Sequence, residues 1–195
     1  MLLNKSVPDV KEKRNDWKEF ASEVNREKLV FLDESGINTN MTRRYGRSVG
    51  KTRVVDKVPC NTPTSTTVVS SIRLDGTYAY ELIDGSIKVE SFVEYIKNTL
   101  IPTLRVGDIV IMDNLKVHKA STVSELISAV GATVLYLPPY SPDFNPIEKM
   151  WSKMKTYLRK WKIRMKSSLA EGVKKALSLV TPSDCEGWYS CSGYC

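Results

Sequence analysis

Histidine is nearly missing from this chain: His118 is the only one. Cysteine is scarce, with Cys60, Cys185, Cys191 and Cys195 the full set. The last three are spaced C-x5-C-x3-C, which lacks the paired close spacings of structural zinc sites, and the one histidine lies far from them. We read all four as reduced thiols. No apolar stretch approaches the roughly 18 residues that a membrane span needs. The opening Met1-Leu-Leu-Asn-Lys-Ser-Val-Pro8 is too short in its apolar part for a secretory signal. These absences argue against a membrane-bound or secreted protein and for a cytosolic one. Internal repeats and low-complexity tracts are missing too.

Acid is missing where base is densest. From Lys149 to Lys166 the charged residues are Lys149, Lys153, Lys155, Arg159, Lys160, Lys162, Arg164 and Lys166, all basic. A second basic cluster, Arg43, Arg44, Arg47, Lys51 and Arg53, lies in a segment that contains glycine. The whole chain carries a formal charge of +7. Such a balance points to a polyanionic partner, and two clusters, each following a candidate catalytic carboxylate, point to DNA. The 195 residues, 42% of them apolar, fit one domain with a real core.

Periodicity divides the chain into elements. Val10, Trp17, Phe20, Ala21 and Val24 predict a helix over 9–26. Lys28–Asp33 is too short for a helix and rich in strand formers. Residues 36–64 read as an irregular hairpin. Thr66–Leu74 and Thr77–Ile83 read as strands joined by the turn signal Asp75-Gly76. The spacing predicts a helix over 89–104, a strand over 109–112, a helix over 120–130 and a strand over 133–137. A last large helix starts at Pro146, capped by Asn145. Its apolar stripe is Ile147, Met150, Trp151, Met154, Leu158, Trp161 and Met165, with basic residues on both flanks. We expect Trp151 and Trp161 in the core. The order implies an α/β fold with a mixed five-stranded sheet, three strands antiparallel and two parallel, flanked by helices.

Three acids stand out against this frame. Asp33 and Asp113 each close an apolar strand, and Glu148 opens the last helix. If the strands are neighbours, the three can hold two Mg²⁺ ions about 3.5–4 Å apart. Each also has an ordinary reading, as a turn residue or a capping-box glutamate. Asp143 is a rival for the third position, while Glu34 alternates to the opposite side of its strand. His118 can donate to a phosphate or orient water, or else cap a helix or sit in the core. Lys116 and Lys119 flank it as candidate phosphate contacts.

Phe31-Leu-Asp-Glu-Ser-Gly36, Ile111-Met-Asp-Asn-Leu-Lys-Val-His118 and Tyr140-Ser-Pro-Asp-Phe-Asn-Pro-Ile-Glu148 together resemble the mariner-type transposase superfamily, in its bacterial insertion-sequence branch. The 34 residues between Asp113 and Glu148 match that branch's spacing. The resemblance implies a ribonuclease H-like fold and a metal-dependent endonuclease and strand transferase. It makes Asp33, Asp113 and Glu148 the catalytic, metal-holding triad, with two Mg²⁺ ions for which Mn²⁺ can substitute. It implies double-stranded DNA as partner, at transposon ends and at a TA target, and a homodimer on that DNA. The expected DNA contacts are Arg43, Arg44, Arg47, Lys116, His118, Lys119, Lys149, Lys153, Lys155 and Arg159. We expect a linker and helix over 1–27, the catalytic domain over 28–180 and a tail over 181–195. The helix-turn-helix region with which such transposases begin has no counterpart here, so we expect a fragment or the product of a split gene. The alternative function is a non-enzymatic fragment that binds DNA or a partner transposase, and another ribonuclease H-like nuclease is a third.

Overall fold

The computed structural model describes residues 8–43, 45–50, 52–60 and 65–195. Five strands form one sheet: β1 (Leu29–Asn38), β2 (Ser65–Arg73), β3 (Tyr78–Asp84), β4 (Ile109–Met112) and β5 (Thr133–Tyr136), in the order β3-β2-β1-β4-β5. β1–β2 and β2–β3 are antiparallel, and β1–β4 and β4–β5 are parallel. The helices are α1 (Pro8–Glu23), α2 (Val89–Tyr95), α3 (Ser121–Ala129), α4 (Ile147–Trp161), α5 (Lys166–Leu177) and α6 (Pro182–Cys191). No helix among the described residues is long and apolar enough to cross a membrane.

Both faces of the sheet are covered, which is why β1 begins as a continuous apolar run. Successive strand residues point to opposite faces. Leu29 and Phe31 enter a core built with α1, α4, α5 and α6, while Val30 and Leu32 enter a second core with α2 and α3. Residues 181–195, read as a tail, fold as α6 and the turn after it. The Tyr189 hydroxyl sits between the carbonyls of Leu29 (3.0 Å) and Ile72 (3.2 Å), tying α6 to β1 and β2. Tyr194 receives the Trp17 indole N–H at 2.9 Å and donates to the Phe144 carbonyl at 2.8 Å.

Four local expectations need correction. β1 runs on through the turn-like Asp-Glu-Ser-Gly to Asn38, because β2 pairs with it as far as Asn38–Ser65. The expected hairpin over 36–64 is absent among the described residues, which hold no strand from 39 to 60. The helix expected over 89–104 changes character, from α2 to a π turn at Ile96–Leu100 and a 3-10 turn at Ile101–Thr103. Pro102 has no N–H to donate back and its ring crowds the preceding turn, so a regular α-helix cannot run through it. The last helix stops at Trp161, where Lys162 adopts a left-handed conformation (φ 49°). Trp161 and Met165 thereby leave the apolar stripe and are 58% and 64% exposed.

Candidate active site

Parallel pairing sets the site. β1 and β4 register Phe31 with Ile111, and two residues beyond these stand Asp33, still in β1, and Asp113, just past the end of β4. The loop from β5 into α4 returns to the same sheet end and brings Glu148 in the first turn of α4. Asp33, Asp113 and Glu148 line one cavity of about 410 Å³, with Asn114, Asn145 and Tyr140 also in its wall. The three carboxylates stand around the cavity rather than closing on one point: among the described residues no three His, Cys, Asp or Glu side chains form a ready metal cluster. The rival Asp143 is exposed and turned to α1, where Arg14 pairs with it at 2.5 Å.

The three acids have different surroundings. Asp33 is 8% exposed. One of its oxygens accepts from the Glu34 amide at 2.8 Å, the other from the Trp151 indole at 3.2 Å and the Asn145 carboxamide at 3.4 Å. Burial, followed by the negative charges of Glu34, Glu148 and Asp113, pushes its pKa up to about 7 against the pull of the Glu34 N–H. Asp113 is half-buried. Burial pulls its pKa up, but hydrogen bonds from His118 and the Leu115 amide, with the charges of His118 and Lys119, outweigh that and hold it below the usual carboxylate range. Glu148 is exposed to the cavity. Lys155 feels the field of both acids: burial holds its pKa below the usual lysine value, against the pull of the Glu148 and Asp33 charges.

The donor set fits a hard divalent cation. It offers carboxylate oxygens and no thiolate, the preference of Mg²⁺ and Mn²⁺. The crowding that raises Asp33 is relieved by a cation. The Asn145 carboxamide oxygen, buried in the cavity wall, has no hydrogen-bond partner among the described residues. Asp33, Asp113 and Glu148 are the residues that would hold the ion.

The expected DNA contacts are not equivalent. Arg43 and Arg159 share the wall of one cavity, and with Lys160, Lys162 and Arg164 they line a second of about 310 Å³. Arg164 holds the end of the β1–β2 connection through the carbonyls of Thr39 (3.2 Å) and Met41 (2.9 Å). Arg47, Lys116 and Lys119 are exposed, and Lys149 and Lys155 are partly buried on α4. Arg44, like Lys51, lies outside the described residues. Two expectations fail on geometry. Lys153 turns away from the basic edge to Asp184 (2.5 Å) and the Leu179 carbonyl (2.7 Å), so its charge is spent between α4 and α6. His118 is fully buried and presents no surface to a nucleic acid.

Residues 28–170 match the DDE superfamily endonuclease family. The chain belongs to that superfamily. This endonuclease domain is also similar in fold to solved structures of Mos1 transposase. It aligns with the Mos1 mariner paired end complex with Mn at TM-score 0.80 and 17% identity, covering 96% of this chain and 60% of that one. The paired-end complex with left transposon end gives 0.79 and 16%, with the same coverage. The Mos1 catalytic domain with Raltegravir and Mg gives 0.72 and 16%, covering 96% of this chain and 91% of that one. The chain therefore spans about three fifths of the longer transposase chains it matches. No curated protein sequence matches it. The mixed sheet and flanking helices are the ribonuclease H-like arrangement of those catalytic domains.

Three contacts of the candidate site escaped the sequence reading. Asn145 was expected to cap α4, yet Pro146 occupies that position and the Asn145 amide turns to Asp33. Trp151 is core, as its stripe implied, but its indole N–H also serves Asp33. The available signal was chemical: a buried indole N–H needs an acceptor, and the stripe offers none. Glu34 does point away from Asp33, and there it meets His118 at 3.0 Å.

Proposed function

We propose that this chain is the catalytic domain of a mariner-type transposase, cutting DNA strands at transposon ends and joining the freed 3′-hydroxyl to target DNA. The observation that carries the reading is the gathering of Asp33, Asp113 and Glu148 around one cavity at the end of the parallel pair β1–β4. Open α/β sheets bind their ligands at that end. In this reading the three carboxylates hold two Mg²⁺ ions, or Mn²⁺ in their place. When bound, such ions supply Lewis-acid stabilisation of the charge on the attacking and leaving oxygens of a phosphodiester.

The protein's own part is placement. Trp151, Asn145 and the Glu34 amide fix both oxygens of Asp33. Lys155 sits within the field of Glu148 and Asp33, where its charge draws a phosphate towards the acids. Arg43 and Arg159 grip the DNA backbone and set its register without reading sequence. The substrate is duplex DNA, with a TA dinucleotide as target and two copies of the protein on paired ends. Support for DNA and divalent metal comes from the Mos1 structures that carry transposon ends, Mn or Mg.

Nicking of supercoiled plasmid in Mg²⁺ or Mn²⁺ tests the proposal. Asp33→Ala, Asp113→Ala and Glu148→Ala should each abolish nicking and leave DNA binding within a few-fold of wild type. Full nicking by any one of them removes that residue from the triad. A second reading, a fragment that binds DNA or a partner transposase without cutting, draws on the open spacing of the three acids. Nicking by the wild-type chain excludes it.

A further inference from the structure

Among the described residues, His118 is the one buried polar ring that meets two carboxylates at once. Its Nδ1 lies 2.8 Å from an Asp113 oxygen, and its Nε2 lies 3.0 Å from a Glu34 oxygen. The ring is fully buried and packs against Phe92, with centroids 4.7 Å apart. The Tyr136 hydroxyl donates to the His118 carbonyl at 3.0 Å, so main chain and ring are both held. Glu34 is anchored in turn, because its place in β1 is paired with Val69 of β2. A rigid chain thus runs from the middle of the sheet, through the imidazole, to Asp113, which otherwise sits in the turn that follows β4.

We propose that His118, braced by Glu34, is the positioning residue that orients Asp113 for a divalent cation. It occupies the oxygen that the Leu115 amide also binds, at 2.9 Å, and leaves the other to the cavity. The proposal rests on the metal-holding role of Asp33, Asp113 and Glu148 given above. The pair touches neither DNA nor metal. His118 lies on the far side of Asp113 and acts through that carboxylate, whereas Glu34 braces the imidazole and also sets its charge beside Asp33. Partners of this kind behind a ligating group change metal affinity by roughly 10–100-fold when removed.

Mn²⁺ titration of the whole chain, with free Mn²⁺ read by its electron paramagnetic resonance signal, tests this without any cleavage assay. The variants are His118→Gln and Glu34→Gln, beside wild type and Asp33→Ala. His118→Gln should weaken Mn²⁺ binding by the folded protein about tenfold or more, and Glu34→Gln less, by several-fold. A purely structural histidine would lower the unfolding temperature and leave the Mn²⁺ constant of the folded protein unchanged. Affinities of both variants within twofold of wild type overturn the proposal. Glu34→Gln also removes a charge beside Asp33, so if His118→Gln does not fold, His118→Leu, which leaves Glu34 unchanged, takes its place. Absence of Mn²⁺ binding by wild type would instead remove the metal-holding reading of the acids, and this inference with it.

Discussion

Asp33 pays for its position with an unfavourable ionisation. Its carboxylate is buried beside three others, and its pKa rises to about 7 from an ordinary 3.8. The folded chain therefore binds the Asp33 proton more tightly than the unfolded chain. Between these two values stability falls as pH rises, and the full cost is present above the higher one. Asp33→Asn carries no charge at any pH. We predict that its metal-free stability relative to wild type improves by roughly 3 kcal/mol between about pH 4.5 and about pH 7.5, at one pKa unit per 1.4 kcal/mol. Urea unfolding at the two pH values measures it. A hydrogen bond lost from Trp151 or Asn145 shifts both values equally and cancels in the difference. A difference that does not change with pH would mean that Asp33 is not strained. The three acids could be seen in the sequence because each stands where an apolar run closes or a helix opens, and their spacing matches a known pattern. The roles of Trp151, Asn145 and His118 could not, because periodicity gives a residue's face but not the partner its polar atom finds. The sequence leaves His118 open between a phosphate contact and a capping or core ring, and the turn after β4 folds the ring inward.

At the level of elements, the sheet was legible almost strand by strand. Alternation, β-branching and Asp75-Gly76 locate β2 and β3, and Gly76 takes the positive φ of 85° that the turn demands, with the Pro182 amide nitrogen 3.1 Å from where a Cβ would stand. What failed was the far end of β1, the hairpin expected over 36–64, and the ends of helices, where a single backbone angle decides. Lys162 ends α4 at φ 49° without the glycine that such a terminus prefers, so nothing in the stripe announced a stop. The left-handed conformation costs an ordinary side chain about 1–2 kcal/mol, and glycine avoids it. Glycine also loses more chain entropy on folding, about 0.5–1 kcal/mol. The exposed Lys162–Asp56 pair, lost with the side chain, contributes little. Lys162→Gly should therefore stabilise the chain by roughly 0.5–1 kcal/mol, read as a rise in the midpoint of chemical unfolding with an unchanged slope. Destabilisation would show that Lys162 packs more firmly than its exposure implies.

Across the whole molecule, the net charge of +7 has a shape that composition cannot express. The β1–β2 connection and the C-terminal half of α4 lie far apart in sequence, yet Arg43 and Arg159 meet in one cavity wall, with Lys160, Lys162 and Arg164 beside them. Lys153, on the same helix, is withdrawn into an ion pair with Asp184. If the joint surface is where DNA lies, each cation that meets a phosphate releases counterions, and the affinity falls with salt by about 0.9 log unit per log unit for each contact. Arg43→Gln and Arg159→Gln should then each reduce that slope by about 0.9 and weaken binding equally on unrelated sequences. Lys153→Gln should leave the slope unchanged, since its charge is already neutralised within the fold. It should instead lower thermal stability, through the α4–α6 contact. Fluorescence anisotropy of a labelled duplex over a series of salt concentrations separates the two classes. Equal slopes for all three variants would mean that the DNA path lies elsewhere on the molecule. A reduced slope for Lys153→Gln alone would mean that the ion pair with Asp184 opens when DNA binds.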